Sequence, residues 1–176
     1  PNAVGNLGVV PPSGSSAAGG TFAYSAPLGE WVHLAFVMYE NNYPSAYSAP
    51  AADLRLIVNG VYHSTIVNTG FDMPHGIIGG SGIAGFTIDE VRFWSVARSV
   101  EEIYYNKDRF MSGTEANLVS YVPFDAGCGN LVADRDSGSS VTWTLAYHKW
   151  VDPRSFTCAS ISSIEPRTVP IEGDVM

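Results

Sequence analysis

The sequence predicts an all-β domain, and three observations carry that prediction. Eighteen Gly and eleven Pro punctuate short apolar stretches along 176 residues, which multiplies turns and leaves little room for long helices. Short runs rich in β-branched and aromatic residues recur, the clearest being Trp31 to Tyr39 (WVHLAFVMY). Asn59-Gly60 stands between two such runs, Leu54 to Val58 and Val61 to Val67. Both central positions of a two-residue hairpin turn need positive φ, which Asn and Gly tolerate best. A chain of this length fills one domain of roughly 100 to 200 residues.

The elements follow in order. Residues 1–20 (PNAVGNLGVVPPSGSSAAGG) are small, polar and broken by Pro and Gly, so they read as a loop or partly extended lead-in, with the ordered part starting near Thr21. In the run from Trp31 to Tyr39, Val32, Leu34, Phe36 and Met38 alternate with Trp31, His33, Ala35 and Val37. Both faces are nearly apolar, which predicts a central, covered strand. A loop from Glu40 to Asp53 follows; its length favours a functional role over a simple connection. After the Asn59-Gly60 hairpin and the Gly-rich stretch Ile77 to Gly85, Phe86 to Trp94 (FTIDEVRFW) reads as another strand.

One helix signal stands out. Ser99 followed by Glu102 forms a capping box, Glu101 and Glu102 suit the positive end, Lys107 and Arg109 suit the negative end, and Gly113 closes the segment. Val100, Ile103, Tyr104 and Phe110 supply an apolar side for docking on a sheet. Leu118 to Phe124 and Val141 to Tyr147 read as further strands around the turn-rich stretch Asp125 to Ser140, and residues 152–176 read as a tail or linker.

Composition narrows the function. Nine basic against seventeen acidic residues give a formal charge of -8, and the first Lys or Arg is Arg55. Nucleic acid is thereby disfavoured as a partner, because phosphate neutralisation needs clustered cations. Insertion of this segment into a membrane is disfavoured too, since its apolar stretches fall short of the about 20 residues that a spanning helix requires. No signal peptide pattern opens the sequence. Cys128 and Cys158 read as one disulfide, which would place the chain in an oxidising compartment; two buried free thiols are the alternative.

Three segments, in this order, resemble the laminin-G-like branch of the concanavalin A-like lectin/glucanase superfamily. Trp31-Val32-His33-Leu34-Ala35 is similar to that family's Trp-x-His-Val-Ala strand. Leu56-Ile57-Val58-Asn59-Gly60 is similar to its Leu-Tyr-Val-Asn-Gly hairpin. Gly85 to Trp94, with the capped helix behind it, resembles its Gly-x-Ile-Asp-Glu-Val-Arg-Ile-Trp strand and short helix. The resemblance covers roughly residues 21–112 and implies a two-sheet antiparallel jelly-roll sandwich, mostly found in extracellular, secreted or cell-surface proteins that bind glycans, matrix proteins or receptors. Residues 21–151 are then the sandwich. Few residues precede Trp31, so the opening strands are expected to be missing or very short. Leu118 to Gly138 is similar to the way such domains begin, so residues 118–151 are either the closing strands or the start of a following repeat, and the chain is expected to be a fragment of a larger repetitive polypeptide.

Candidate chemistry is sparse. Glycoside hydrolysis needs two carboxylates about 5 to 9.5 Å apart, whereas Asp89 and Glu90 are adjacent and on a strand would point to opposite faces. Glu90 reads as an ion-pair partner of Arg92, Asp89 as an acceptor at the sheet rim, and His33 as a hydrogen-bonded core histidine. Trp31, Asn59, Gly60 and Trp94 read as structural. Asp125, Asp134 and Asp136 could supply hard oxygens to calcium, although Asp-x-Asp-Ser-Gly is also ordinary turn chemistry. Tyr39, Tyr43 and Tyr47, beside Asn41 and Asn42, read as ligand-contacting residues on the long loop; covering the sheet edge is the competing role. The expected function is a non-catalytic binding or adhesion module that recognises a glycan or extracellular protein through rim loops. A structural block that assembles with neighbouring repeats or copies of itself is the alternative, and a glycoside hydrolase a remote one.

Overall fold

The computed structural model describes residues 6–9, 19–40, 52–67, 78, 86–125, 131–136, 138 and 142–145. All strand pairings among them are antiparallel and join neighbours in sequence: β1 (Gly8–Val9) with β2 (Gly20–Thr21), β3 (Leu34–Glu40) with β4 (Ala52–Val58) and β5 (Val61–Ile66), β6 (Val91–Trp94) with β7 (Leu118–Val122), and β8 (Leu131–Ala133) with β9 (Thr142–Thr144). One helix, α1 (Val100–Asn106), lies between β6 and β7. This is the mostly-strand architecture with a single helix that the sequence predicts, in keeping with a concanavalin A-like sandwich.

The three-stranded sheet organises the core. Leu34 faces Val58, Phe36 faces Leu56 and Met38 faces Leu54 across the β3–β4 ladder. Their shared face meets Phe22, Leu7, Val9 and Tyr24 from the β1–β2 layer, with Leu54, Leu56 and Phe22 almost wholly buried. On the opposite face Ala35, Val37, Tyr39 and Ile57 pack with Ile103 of α1. Both faces of β3 are therefore covered, as its apolar residues predict, but the central position expected with that cover is not found. Among the described residues β3 is an edge strand and β4 the central one; β3 is apolar on both sides because strands cover one face and the helix covers the other.

The strand also starts later than its sequence suggests. Trp31 lies ahead of it and is 70% exposed, so it is not a core residue. A turn at Leu28 and Gly29, the latter at φ +77°, leads in instead. The last tie of this edge is made by Asn59: its Oδ1 accepts from the His33 amide at 2.9 Å and its own amide donates to the His33 carbonyl at 2.8 Å. Asn59 and Gly60 hold φ of 51° and 78°, as the hairpin requires. Gly60 is needed for space as well, since a Cβ there would sit 2.8 Å from the Tyr104 backbone where α1 rests on the hairpin tip.

The chain enters the fold before Thr21. Leu7 accepts from the Phe22 amide and donates to the Tyr24 carbonyl, and both Leu7 and Val9 pack on the core; among the described residues β1 and β2 come first and have two residues each. Further on, β6 is only four residues long. Asp89 Oδ1 accepts the Glu90 amide at 3.0 Å and Glu90 adopts φ 55°, which breaks the extended run predicted from Phe86. The capping box at Ser99 forms in full: the Glu102 amide donates to Ser99 Oγ at 3.1 Å, and the Ser99 amide donates to Glu102 at 2.8 Å.

The helix stops at Asn106, with no basic residue in its last turn. Gly113 belongs to a separate turn at φ +86°, pressed so closely on Arg135 that a Cβ would lie 2.0 Å from its carbonyl oxygen. Of the predicted docking residues only Ile103 is buried; Val100, Tyr104 and Phe110 face solvent. The strand β8, inside the stretch read as turns, was not anticipated. It leads into Asp134 and Arg135, which flank β7 by accepting from the Tyr121 amide and donating to the Tyr121 carbonyl at 2.9 and 2.8 Å.

Candidate functional site

The described residues contain a cleft of about 360 Å³ between the end of β6, the C-terminal end of α1 and the turn before β7. Trp94, Arg98, Asn106, Arg109, Phe110 and Glu115 contribute to its walls. The geometry is set by Arg92, one residue pair back along β6. Its Nη1 donates to the Asn106 carbonyl at 2.8 Å, and Nη2 donates both to Glu90 at 2.9 Å and to the Arg109 carbonyl. The helix thus receives from β6 the cation its own last turn lacks, placed on the Asn106 carbonyl at the negative end of its dipole.

Glu90 completes this support. Its carboxylate also accepts from Tyr121 Oη at 3.1 and 2.9 Å, and Tyr121 is fully buried. Burial first, and then the hydrogen bond to Glu90, push the Tyr121 phenol above its ordinary range. The expected Glu90–Arg92 pair is present, and its carboxylate is committed to structure. Asp89, whose carboxyl is raised chiefly by desolvation, accepts the Glu90 amide as expected of a rim residue.

Within the cleft, the Arg98 guanidinium lies 4.3 Å from the centre of the Trp94 ring and 3.5 Å from Glu102. Glu115 accepts from the Ser112 amide (2.7 Å), Ser112 Oγ (2.9 Å) and the Gly113 amide (3.0 Å). Those donors, led by the Ser112 amide, bring its pKa from 4.5 down to about 2. Phe110 is 83% exposed at the rim. The cleft consequently presents a free aromatic ring beside fixed hydrogen-bond donors and acceptors, which is what a ligand with both apolar and hydroxylated surfaces requires.

The residues expected at the site are distributed differently. Tyr39 belongs to β3 instead of the loop; its ring lies under Arg55 at 4.2 Å and its hydroxyl donates to the Arg98 carbonyl at 3.4 Å. Asn41, Asn42, Tyr43 and Tyr47 lie outside the described residues, as do Cys128 and Cys158. Asp125 pairs with Arg135 at 3.0 Å, while Asp134 Oδ1 accepts the amides of Tyr121 and Asp136. No group of three or more His, Cys, Asp or Glu among the described residues gathers as metal ligands would. The His33 ring is half-buried, but its Nδ1 lacks the hydrogen bond expected of it. Desolvation, followed by the charges of Arg92 and Lys107, lowers its pKa.

The sequence analysis places Arg109 at the negative end of the helix and Phe110 on its docking side, and neither at the site. Phe110 was assigned to the buried side of the helix by extending its periodicity past Asn106, although Asn106-Lys107-Asp108 is a turn-forming run that could have marked the stop.

No helix among the described residues is long and apolar enough to cross a membrane. Neither the search of curated proteins nor that of solved structures finds a match. The family comparison does: residues 7–104 match the laminin-G-type profile of the concanavalin A-like lectin/glucanases superfamily. That range begins at Leu7, which packs against the core, and takes in β1 to β6 and most of α1. It spans more than half of the chain, which therefore belongs to the concanavalin A-like lectin/glucanases superfamily.

Proposed function

We propose that the chain is a non-catalytic, extracellular binding module that seats a glycan in the cleft between β6 and α1. The observation that carries this reading is Phe110, held at 83% exposure on the wall of a 360 Å³ cleft that also offers Arg, Asn and Glu side chains. Burying such a ring is worth about 1.5 to 3 kcal/mol, so a ligand with an apolar face gains from covering it. Sugars stack on aromatic rings while their hydroxyls bond to planar polar side chains. Membership of a superfamily of lectin- and glucanase-like domains supports binding in general. The commitment of both Glu90 and Asp89 to local hydrogen bonds supports a role without catalysis.

Phe110→Ala tests the site. The substitution removes an exposed ring and is expected to leave unfolding unchanged within about 0.5 kcal/mol. It is expected to weaken binding to any oligosaccharide captured on a glycan array by about tenfold or more. Array binding that survives Phe110→Ala would place the ligand elsewhere, and the long loop with Tyr43 and Tyr47 would become the leading site. Repeating the array with a chelator reads whether a calcium ion on Asp125, Asp134 and Asp136 contributes.

A further inference from the structure

Taking the glycan reading of this cleft as its basis, we propose that the ligand is an acidic saccharide whose carboxylate is held by Arg109. The charges around the cleft are not equivalent. Arg98 is engaged by the Trp94 ring and by Glu102. Glu115 is charged, but its oxygens are turned to the Ser112 and Gly113 donors of its own turn. Arg109 differs from both. Its backbone is fixed, the amide donating to the Asn106 carbonyl at 3.2 Å and the carbonyl accepting from Arg92. Its guanidinium has no acidic partner within ion-pair distance among the described residues.

Arg109 and the exposed Phe110 both line the cleft, so a ligand seated there can meet the two at once. The ring takes the apolar face of a pyranose, and the planar guanidinium takes a carboxylate through two parallel hydrogen bonds, the geometry arginine provides and lysine does not. The formal charge of -8 on the chain does not oppose this. At physiological salt, charges beyond about 8 Å are largely screened, which leaves Glu115 as the opposing carboxylate of the cleft, its oxygens held by the Ser112 and Gly113 donors. A neutral sugar would leave the Arg109 head in water and gain nothing from it, which makes this residue the source of selectivity and not of general affinity.

The test uses the whole 176-residue chain and tetrasaccharides of galacturonate, glucuronate and mannuronate, each beside its carboxyl-reduced counterpart, with the Trp94 indole and Arg109 side-chain resonances followed by NMR. At least one uronate is expected to bind about five- to tenfold more tightly than its reduced form. Arg109→Gln should erase that preference while leaving the weaker binding of the reduced sugar intact, and Arg109→Lys should restore only part of it. Equal binding of acidic and reduced forms, or a preference that persists in Arg109→Gln, overturns the assignment of an acidic ligand but leaves a neutral-glycan site standing if Phe110→Ala abolishes binding. Absence of any shift at Trp94 and Arg109 with all six saccharides refutes both.

Discussion

Arg92→Gln probes the support under the cleft. The guanidinium makes three hydrogen bonds, to Glu90, the Asn106 carbonyl and the Arg109 carbonyl. Its side chain is 10% exposed and that of Glu90 is 23% exposed. Hydrogen bonds to charged groups contribute about 1.5 to 3 kcal/mol each in favourable cases. Three of them do not add, water reaches part of the pair, and glutamine keeps one donor, so a net loss of about 3 kcal/mol is expected. Helix α1 makes the loss consequential: seven residues fall well short of the about 12 to 15 needed for a helix to persist alone. Its end is held from outside. Urea unfolding should show a lower midpoint with an unchanged slope, and the melting temperature should fall by roughly 6 to 12 °C at about 2 to 4 °C per kcal/mol. Because Glu90 retains the Tyr121 hydroxyl, Glu90→Gln should cost less, and the double variant should fall short of the sum by about 1 to 2 kcal/mol. A cost below about 1 kcal/mol for Arg92→Gln would show that β6 does not hold the helix end through this residue, and single effects additive within about 0.5 kcal/mol would show that Glu90 does not support it.

Gly113→Ala should destabilise by about 3 kcal/mol or more, because the new Cβ meets the Arg135 carbonyl at 2.0 Å and the residue sits at φ +86°; an unchanged denaturation midpoint would remove the proposed abutment of the two turns. Glu115 has a folded pKa depressed from 4.5 to about 2, so the stability it contributes is complete above 4.5 and is lost as pH falls toward 2. Carboxyl NMR titration of Glu115 should give that low midpoint, and Glu115→Gln should flatten stability over this interval. His33 has a folded pKa below 6.5, so the neutral ring is favoured by the fold, and its contribution is intact above 6.5 and declines as the solution is acidified below it. His33→Gln should remove that decline in unfolding experiments run from pH 7.5 to 5; a slope equal to that of the parent protein would assign the decline to other groups.

Local signals carried the parts of the fold that depend on one backbone requirement. Asn59-Gly60 was legible because a two-residue hairpin needs two positive φ values in succession, and few residue pairs supply them. Ser99 and Glu102 were legible because the capping box is complete within four residues. Elements defined by contacts from afar were not. The length of β6 depends on Glu90 turning to φ 55° so that its carboxylate can reach Arg92 and Tyr121, a demand that comes from a residue 31 positions away. The cover on the two faces of β3 comes from Leu7 and Phe22 on one side and Ile103 on the other, none of which belongs to the strand or its hairpin. The site was less legible still. An exposed Phe110 and a buried one look identical in a periodicity plot, and only the end of α1 at Asn106 separates them.

The placement of the cleft on β6 follows from what the residues of that strand meet. Arg92 reaches the Asn106 carbonyl and Trp94 lines the cleft beside Asn106, while Phe93 stacks on Trp143 at 5.4 Å, although the ladder to β7 shifts register between Phe93 and Trp94. Arg92 and Trp94 divide two tasks: Arg92 grips the helix end, and Trp94 floors the cleft with one ring face already covered by Arg98. Trp94 is therefore the less available platform although it is the larger aromatic, and in the proposed site the uncovered Phe110 takes that place. Phe110 follows Arg109, whose carbonyl accepts from Arg92, and both residues line the cleft. Holding two contact groups in place before a ligand arrives lowers the ordering cost of binding. Loosening Arg92 should accordingly weaken ligand affinity in excess of its effect on either contact residue alone, even though Arg92 itself touches the cleft only through the backbone it holds.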